Sequence, residues 1–507
     1  MKYVIGVDLG TSSVKVLLVN QLGEVQYSVS KDYPLIHKQP GYSEQKPEDW
    51  VDKTIDALKQ LVSEANVQAE DIEGLSFSGQ MHGLVLLDEQ YEVIRDAILW
   101  NDTRTTPQCK KIDQQLGGKL LEITKNPALE GFTLPKILWV KENEPVNLDK
   151  AKVFLLPKDY LRYRLTGKIH MEYSDAAGTL LLDVVNKSWS SEILRTFEIP
   201  AEICPPLVET EDLVGTILPE VAEKTGLSQE TKVFAGGADN ACGAIGAGIL
   251  SEGTALCSIG TSGVFLSYEE NKNKNYGGKV HLFNHGQKDT YYTMGVTLAA
   301  GYSLTWFKET FAKDKSFDSL LEEAAKSTVG ARGLIFTPYL VGERTPYADA
   351  KIRGTFTGID GSHNLGDFTR AVIEGIVFSI NESVEIFRNY EKTINTVISI
   401  GGGAKSELWL QIQADVFNAK VLKLQNEQGP GMGAAMIAAA GLGWFSSLKE
   451  CAEVFIQADK VYEPNPENVK RYKEFYQVYK DVYPHTVAIN HQLFDLRNRN
   501  EVFAETN

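Results

Sequence analysis

A carboxylate and an amide, Asp239 and Asn240, stand together in the run VFAGGADNACGA, residues 233–244. The run has the form of a strand, a glycine-rich bend and the start of a helix made of small residues. An Asp at that position is often only a cap that accepts N–H bonds from the helix. Small neighbours leave open space around the carboxylate, which a ligand requires and a cap does not. In phosphoryl transfer a carboxylate orients the attacking hydroxyl and accepts its proton, so we take Asp239 as a candidate general base, with capping as the alternative.

A second carboxylate, Asp8, lies inside an apolar run that predicts a buried strand, VIGVDLGTSSVKVLLVN, residues 4–20. A charge is costly to bury without a partner. The run breaks at once into a bend with Thr11 and Ser12, whose hydroxyls and backbone N–H groups are of the kind that hold phosphate oxygens. Asp8 beside this bend is placed to hold Mg²⁺, directly or through water, because Mg²⁺ takes one or two carboxylates together with substrate phosphates.

The same pattern recurs in the second half of the chain. The run ALCSIGTSGVFLSY, residues 255–268, again joins two apolar stretches through a Gly-Thr-Ser bend, which contains Gly260 and Thr261. Chance recurrence of three residues is the alternative, but the strand-like context on both sides is shared as well. A duplicated hairpin at the start of each half predicts two domains of similar fold, which we place at residues 1–245 and 246–507.

A third glycine cluster follows the strand-like run VISIGGGA, residues 397–404. Gly402, Gly403 and Ala404 would let the backbone approach a flat ligand or a phosphate closely. An ordinary tight turn is the alternative for this cluster taken alone. Together with the two phosphate-type bends, it predicts a shelf for a nucleoside.

A polar loop, LSFSGQMHG at residues 75–83, carries Gln80 and His82 between glycines. The run AILWNDTRT, residues 97–105, adds Trp100 and further polar groups at another strand end. An aromatic face beside polar forks is typical of sites that bind a polyhydroxylated small molecule. The alternatives are a structural histidine, a core tryptophan and a simple ion pair between Asp102 and Arg104.

The bulk composition limits the class of partner. The 507 residues carry a formal charge of −16, from 51 basic and 67 acidic residues, which argues against a nucleic acid or an anionic membrane as partner. The five cysteines form no CxxC pair, as expected of reduced thiols in a cytoplasmic protein. The longest apolar run, residues 434–445, is well below the ~18 residues that predict a membrane span.

The order of the predicted elements defines the fold class. Three consecutive strands at residues 3–10, 13–20 and 24–33 are followed by a helix that begins at Pro47 and by strands at 74–78, 84–88 and 97–100. Later, residues 405–417 and the segment beyond about Pro464 predict helices. Strands first, then alternating helices and strands, indicate a mixed α/β architecture.

The chain also resembles the FGGY family of carbohydrate kinases. The motifs that carry the resemblance follow in order from the first strand to about residue 445: DLGTSSVK, SGQMHG, LWNDTR, GFTLPKILWVKEN, GGADNACGA, SIGTSG, GTFTGIDGSHNLGDFTRAVIEG and SIGGGAKS. The resemblance implies two actin-like (ribonuclease H-type) domains facing each other across a catalytic cleft. It further implies a sugar bound mainly by the N-terminal domain and ATP bound mainly by the C-terminal one.

The family's functional residues transfer onto matching positions of this sequence. The resemblance implies that Asp239 deprotonates a terminal sugar hydroxyl as it attacks the γ-phosphate, and that Met81, His82, Asp239 and Asn240 contact a ketose. Mg²⁺ and the ATP phosphates fall to Asp8, Thr11, Gly260 and Thr261, and the adenosine to Gly402, Gly403 and Ala404. From the residues themselves we add Gln80 and Trp100 to the sugar site and Ser12 to the phosphate site.

Three other interpretations stay open at this stage. The substrate could be a different ketose or a polyol. An actin-like ATPase with a protein partner would keep the fold, but it leaves the Asp239 and His82 motifs without a role. A sugar-sensing relative without activity is disfavoured while Asp239 is present. We expect sugar and ATP as the partners and leave a homodimer open.

Overall fold

The computed structural model describes residues 1–505 of the chain, with the side chains of residues 1–498. The chain divides into two compact units. Unit 1 contains residues 1–250, 268–292 and 426–457, and unit 2 contains residues 251–267, 293–425 and the remainder from residue 458.

The strands are numbered in chain order. They are β1 (Tyr3–Leu9), β2 (Ser13–Asn20), β3 (Val25–Asp32), β4 (Glu44–Gln45), β5 (Ile72–Gly79), β6 (Val85–Leu87), β7 (Ala97–Ile98), β8 (Val153–Leu155), β9 (Met171–Glu172), β10 (Leu182–Asp183), β11 (Ser188–Trp189), β12 (Leu207–Val208), β13 (Leu213–Thr216), β14 (Lys232–Phe234), β15 (Gly237–Ala238), β16 (Gly253–Ile259), β17 (Gly263–Glu269), β18 (His281–Asn284), β19 (Tyr291–Thr297), β20 (Ile335–Thr337), β21 (Thr355–Thr357), β22 (Ile394–Gly401), β23 (Lys420–Leu424) and β24 (Ala458–Tyr462).

The α-helices are numbered in the same way. They are α1 (Pro47–Glu64), α2 (Thr106–Leu116), α3 (Gly118–Thr124), α4 (Thr133–Asn143), α5 (Pro145–Asp149), α6 (Pro157–Thr166), α7 (Tyr173–Ala177), α8 (Ser191–Thr196), α9 (Pro219–Thr225), α10 (Asp239–Gly246), α11 (Gly301–Phe311), α12 (Phe317–Lys326), α13 (Leu365–Asn389), α14 (Glu407–Phe417), α15 (Pro430–Gly441), α16 (Leu448–Phe455) and α17 (Pro466–Glu505). Within the part of the chain that the structure describes, none of these helices is long and apolar enough to cross a membrane.

The first large sheet has the strand order β13-β14-β5-β1-β2-β3, with β15 also paired to β5. β1 and β2 form an antiparallel hairpin, β1 runs parallel to β5, and β5 runs parallel to β14. β13 closes one edge as an antiparallel partner of β14. This is the mixed α/β arrangement that the sequence predicts.

The second large sheet repeats that topology. Its order is β18-β19-β17-β16-β22-β23-β24, in which β16 and β17 form the antiparallel hairpin and β16, β22 and β23 are parallel neighbours. β24 closes its edge as the antiparallel partner of β23. The two Gly-Thr-Ser bends occupy equivalent positions. In each bend the glycine N–H donates a 3.0 Å bond, from Gly10 to Ser13 O and, one residue shorter, from Gly260 to Ser262 O. The predicted duplication of an actin-like fold is confirmed.

Unit 1 buries both faces of its sheet. On one face, apolar side chains of β1, β2 and β5 pack with α1, including the fully buried Trp50. On the other face, Val4 and Leu17 pack with α10 and with small residues of α15. That contact is close because glycines form it: a β-carbon at Gly6 would lie 2.0 Å from the carbonyl oxygen of Gly431.

The two compact units are not continuous in sequence. Beyond residue 250, the segments 268–292 and 426–457 cluster with unit 1. The division into domains at residues 1–245 and 246–507 stays a prediction. For the second segment the cause is the apolar face of α15, which completes the core on β1 and β2. For the first, the Asn126 side chain donates to Leu282 O at 2.8 Å. Hydrophobic patterns along the chain do not reveal such returns.

Most predicted elements are present with small differences at their ends. The helix from Pro47 and the helix beyond Pro464 are found as α1 and α17. The strand predicted for residues 97–100 ends at Ile98. The helix predicted for 405–417 begins at Glu407, because residues Gly402–Lys405 form a separate 3₁₀ turn and the Ser406 side chain accepts a bond from Trp409 N.

Gly433 in α15 provides a test of the close helix packing. A β-carbon there would lie 1.9 Å from the carbonyl oxygen of Cys242 in α10, so the two backbones would have to separate. We expect Gly433→Ala to lower the free energy of unfolding by about 3 kcal/mol, measured by urea denaturation. Gly118→Ala is the matched control, since a β-carbon at Gly118 meets nothing within 4 Å. Equal stability of the two variants would contradict this packing.

Candidate active site

The parallel pairing of unit 1 brings two carboxylates to one edge of the sheet. Asp8 in β1 lies opposite Ser78 in β5, and Ser78 lies opposite Gly237 in β15. Adjacent strands are about 4.8 Å apart, so these three positions form a row across the sheet. Asp239 follows Gly237 by two residues and is the first residue of α10. Two acidic motifs that are far apart in sequence are thereby neighbours.

The Asp239 carboxylate lies at the start of α10. The N-cap position belongs to Ala238, and one Asp239 oxygen accepts the N–H of the adjacent Asn240 at 2.6 Å and its side-chain amide at 3.0 Å. Asp239 is thus not the N-cap residue of α10, although it accepts one N–H of the first turn. Burial raises the pKa of the Asp239 carboxyl to about 7, and the nearby charge of Asp8 adds to the rise, while the Asn240 N–H opposes it. This carboxyl can take up and release a proton near neutral pH.

Asp8 has partial compensation for its burial. Burial raises its pKa to about 6, against the opposing effects of the nearby Ser78 hydroxyl and of the Lys15 charge. Lys15 is the cross-strand neighbour of Asp8, but its ammonium donates to the Gln428 side chain at 2.9 Å. Two carboxylates with raised pKa values at one sheet edge form a site where a cation would be favoured.

The donor set is suited to Mg²⁺ more than to a fully protein-ligated ion. Within the described residues, no group of three or more His, Cys, Asp or Glu side chains could hold a metal. Mg²⁺ keeps several waters and is held through one or two carboxylates plus substrate phosphates. Asp8, with Asp239 nearby, matches that requirement.

The loop after β5 packs against the start of α10. The sulfur of Met81 receives hydrogen bonds from the Asn240 side-chain amide at 3.6 Å and from the Tyr292 hydroxyl at 3.9 Å. Met81 and Asn240, predicted from separate motifs, therefore lie in one site beside Asp239. Tyr292 belongs to the same group, and sequence analysis missed it because nothing in its local run is distinctive.

His82 is held in a fixed orientation. Its backbone is left-handed, with φ of 69°, and its Nδ1 lies 2.6 Å from the carbonyl oxygen of Gly178. A carbonyl oxygen can only accept, so Nδ1 carries a proton and donates this bond. The ring packs on Phe132, with 4.6 Å between centroids, and the Thr133 hydroxyl donates to His82 O at 3.0 Å. Both contacts come from a GFT segment that sequence analysis used only for its family resemblance.

Trp100 and Thr11 connect the aromatic and phosphate motifs of unit 1. The indole N–H of Trp100 donates to the Thr11 hydroxyl at 2.9 Å, and Trp100 is 46% exposed, so an aromatic face remains open to a ligand. Ser12 in the same bend is exposed. Gln80 differs from these residues, because it is buried and its amide donates to Gln45 at 3.2 Å. Gln80 therefore has a structural contact, and its part in sugar binding stays a prediction.

Asp102 is confirmed as a member of an ion pair. It is buried, and its carboxylate accepts the Arg104 guanidinium at 2.6 and 2.9 Å and the Ser43 N–H at 2.7 Å. The Arg104 guanidinium in turn lies over the rings of Tyr42 and Trp139, at 3.6 and 4.7 Å from their centroids. With its oxygens occupied in this way, Asp102 is not suited to act as a general base.

Unit 2 contains a cavity of about 480 Å³ that joins the two glycine motifs of the second half. Gly260 and Thr261 form one wall of the cavity, and Gly402 and Gly403 form another. The two motifs are adjacent because the residues that precede them, Ile259 and Gly401, are paired in the parallel strands β16 and β22. Ala404 is buried in the same turn, beside the lining residues. Apolar side chains missed by sequence analysis complete the walls, including Tyr302, Phe317 and Trp409. This volume is in the range of small-ligand sites.

Comparison with known proteins identifies the class of enzyme. Residues 3–246 match the N-terminal domain and residues 255–442 the C-terminal domain of the FGGY family of carbohydrate kinases. The chain belongs to this family and is a carbohydrate kinase, for which ATP is the co-substrate.

Individual relatives are similar over almost the whole chain. Xylulose kinase from Bacillus subtilis (strain 168) is 63% identical over 497 residues, which cover 98% of this chain and 100% of that protein. Two solved structures from Lactobacillus acidophilus each have a TM-score of 0.92, 28% identity and cover 97% of this chain. One is a ligand-bound xylulose kinase, of which 100% is covered, and the other a gluconate kinase, of which 99% is covered.

The unit 2 cavity can be tested at Gly402. A β-carbon at Gly402 would meet only the carbonyl oxygen of Ile259, at 3.5 Å, so a side chain there is tolerated by the protein but occupies the cavity. We expect Gly402→Val to raise KM for ATP by at least about tenfold, a loss of ~1.4 kcal/mol, with KM for the sugar unchanged.

The control for this variant is Gly361→Val, because a β-carbon at Gly361 meets nothing within 4 Å and Gly361 is outside the cavity lining. Steady-state kinetics and thermal unfolding of both variants separate a blocked cavity from a damaged fold. An unchanged KM for ATP in a folded Gly402→Val protein would remove the cavity from nucleotide binding.

Proposed function

We propose that this carbohydrate kinase transfers the γ-phosphate of ATP to the 5-hydroxyl of D-xylulose, giving D-xylulose 5-phosphate and ADP. The observation that carries this proposal is the 63% identity, over nearly the full length of both chains, with a protein named xylulose kinase. The fold alone does not select the sugar, because a xylulose kinase and a gluconate kinase match it equally well. The product is the form in which D-xylose carbon would enter the pentose phosphate pathway.

Asp239 is the proposed general base. Its pKa of about 7, raised first by burial and then by Asp8, makes the carboxylate a stronger proton acceptor than an ordinary Asp at neutral pH. It would accept the proton of the 5-hydroxyl while that oxygen attacks the γ-phosphate. Asn240, Met81 and His82 would orient the ketose, Gln80 would support that loop, and the exposed face of Trp100 would cover the sugar's C–H groups.

We assign the metal and the phosphates to different motifs. Asp8 would hold Mg²⁺, and Thr11 and Ser12 would contact the transferring phosphate. When bound, Mg²⁺ neutralises charge on the phosphate oxygens. Gly260 and Thr261 would hold the remaining phosphates of ATP, and Gly402, Gly403 and Ala404 the adenosine.

The remaining features of the proposal follow from the same assignments. Residues 1–245 supply mainly the sugar site and residues 246–507 mainly the ATP site. Sugar and ATP are the partners, without nucleic acid or membrane, and a homodimer stays open as the assembly. All five cysteines are free, which supports a cytoplasmic enzyme.

A second candidate is a kinase of the same mechanism for another ketose or polyol. The observation that supports this second candidate is that a gluconate kinase structure matches the chain as well as a xylulose kinase structure does.

An assay of ADP release tests the choice of substrate. Purified enzyme with ATP and Mg²⁺ is offered D-xylulose, D-ribulose, L-ribulose, L-xylulose, glycerol, gluconate or D-fructose. We expect kcat/KM for D-xylulose to exceed every other value by at least about tenfold, a transition-state difference of ~1.4 kcal/mol. NMR of the product should locate the phosphate on C5. A higher kcat/KM for another sugar would transfer the proposal to that substrate, and absence of sugar-dependent ADP release would overturn it.

A further inference from the structure

Behind the Asp239 site, unit 1 contains a fully buried cluster of charged side chains that no part of the proposed function uses. Lys158 is its centre, with its ammonium 2.8 Å from Asp159, 3.1 Å from Asp175 and 3.5 Å from Glu172. Arg162 pairs with Asp159 at 3.0 Å. All five side chains have 0% exposure. Buried ion pairs of this kind cost desolvation energy, so their presence calls for a purpose beyond stability.

The cluster contains three acidic and two basic side chains. Burial raises the pKa of Asp175 well above its ordinary value, and the charges of Asp159 and Glu172 add to the rise against that of Lys158. Lys158 lies among all three acidic side chains, and Arg162 adds a second basic partner for Asp159, so salt bridges hold the cluster together.

The cluster reaches Asp239 through one serine. Glu172 accepts the backbone N–H groups of Ser174 at 2.7 Å and of Asp175 at 2.8 Å and so fixes the start of α7. The Ser174 hydroxyl donates to Glu172 at 2.7 Å and accepts the N–H of Ala238 at 2.9 Å. Ala238 is the residue immediately before Asp239.

The other end of the same bend is also bound to the cluster. The Arg162 guanidinium donates to the carbonyl oxygen of Ala235 at 2.6 Å. Between Ala235 and Ala238 lie two glycines, and Gly236 is left-handed with φ of 84°. Glycines make this bend permissive by themselves, so its conformation depends on what its ends contact.

From these contacts we propose that Glu172 and Ser174 are positioning residues for catalysis, which hold the Ala235–Ala238 bend and thereby the Asp239 carboxylate. The inference rests on the proposed function, in which Asp239 is the base. A carboxylate displaced by about 1 Å loses rate while substrate binding is largely preserved, which distinguishes positioning from binding. Among the side chains that the structure describes, the Ser174 hydroxyl bonds only to Glu172, and its other bond is to the backbone of Ala238, so Ser174 acts through the bend.

A double-mutant cycle tests this role. We expect Ser174→Ala to lower kcat by about 10- to 100-fold, with KM for sugar and for ATP within about threefold of the original protein. In the Asp239→Asn background the same substitution should have no further effect on kcat beyond about twofold, since a bend that positions a base has nothing to position once the base is absent. Rates are measured under single-turnover conditions with excess enzyme and radiolabelled ATP, so that slow variants are quantified.

The matched control is Ser76→Ala, which removes a buried hydroxyl from β5 of the same sheet. Ser76 is fully buried, and its hydroxyl has no hydrogen-bond partner among the described residues. The kcat of Ser76→Ala should stay within about twofold of that of the original protein. All rates are expressed per folded molecule. If Ser174→Ala does not fold, Glu172→Gln is measured in its place, because the amide keeps the size of the side chain.

The outcomes separate this inference from the proposed function. A kcat of Ser174→Ala equal to that of the control, or equal losses of kcat in the presence and absence of Asp239, overturns the positioning role and leaves the proposed function intact. Full turnover in Asp239→Asn alone overturns the proposed base, and the positioning role with it. A fall in kcat that disappears in the Asp239→Asn background is the result that supports both.

Discussion

The rest of unit 1 depends on one constraint. It must keep two shielded carboxylates, Asp8 and Asp239, close to each other. Asp8 and Asp239 have pKa values raised to about 6 and about 7, because the sheet edge partly shields them from water and places them near one another. Two neighbouring carboxylates of this kind lower the free energy of unfolding, so stability does not explain their presence. A phosphoryl-transfer site benefits from it, because the pair attracts Mg²⁺ and one member can accept a proton at neutral pH.

The packing around this edge keeps the pair in place. α15 approaches β1 and α10 at backbone contact distance through Gly6, Gly431 and Gly433, so the sheet edge and the start of α10 cannot shift independently. On the other side, the buried Glu172 and Ser174 bond to the bend before Asp239. Unit 2 repeats the hairpin and sheet topology with Gly260 in place of Gly10, but no carboxylate stands where Asp8 stands: the equivalent strand β16 has Cys257 and Ser258 near its end.

The sequence predicts the parts of this account that are encoded within a few residues. The two Gly-Thr-Ser hairpins, the Asp239 motif and the α/β class depend on local patterns, and the structure contains them. What it does not predict depends on distant contacts: the Gly178 carbonyl that orients His82 is 96 residues away, and α15 returns to the first sheet from the second half of the chain. Gln80 illustrates the same limit, since a polar side chain in a motif gives no sign that it is buried against Gln45.

The measurement that tests the central claim most directly is turnover and thermal unfolding of Asp239→Asn at pH 8. The folded pKa of Asp239, about 7, exceeds its ordinary value of 3.8, so the cost of its charge is absent below pH 3.8, grows as pH rises and is complete above pH 7. Asparagine removes that cost and the proton acceptor together. We predict that turnover falls by about 10²- to 10⁴-fold while the unfolding temperature equals or exceeds that of the original protein. Retained turnover per folded molecule with a lower unfolding temperature would contradict the account.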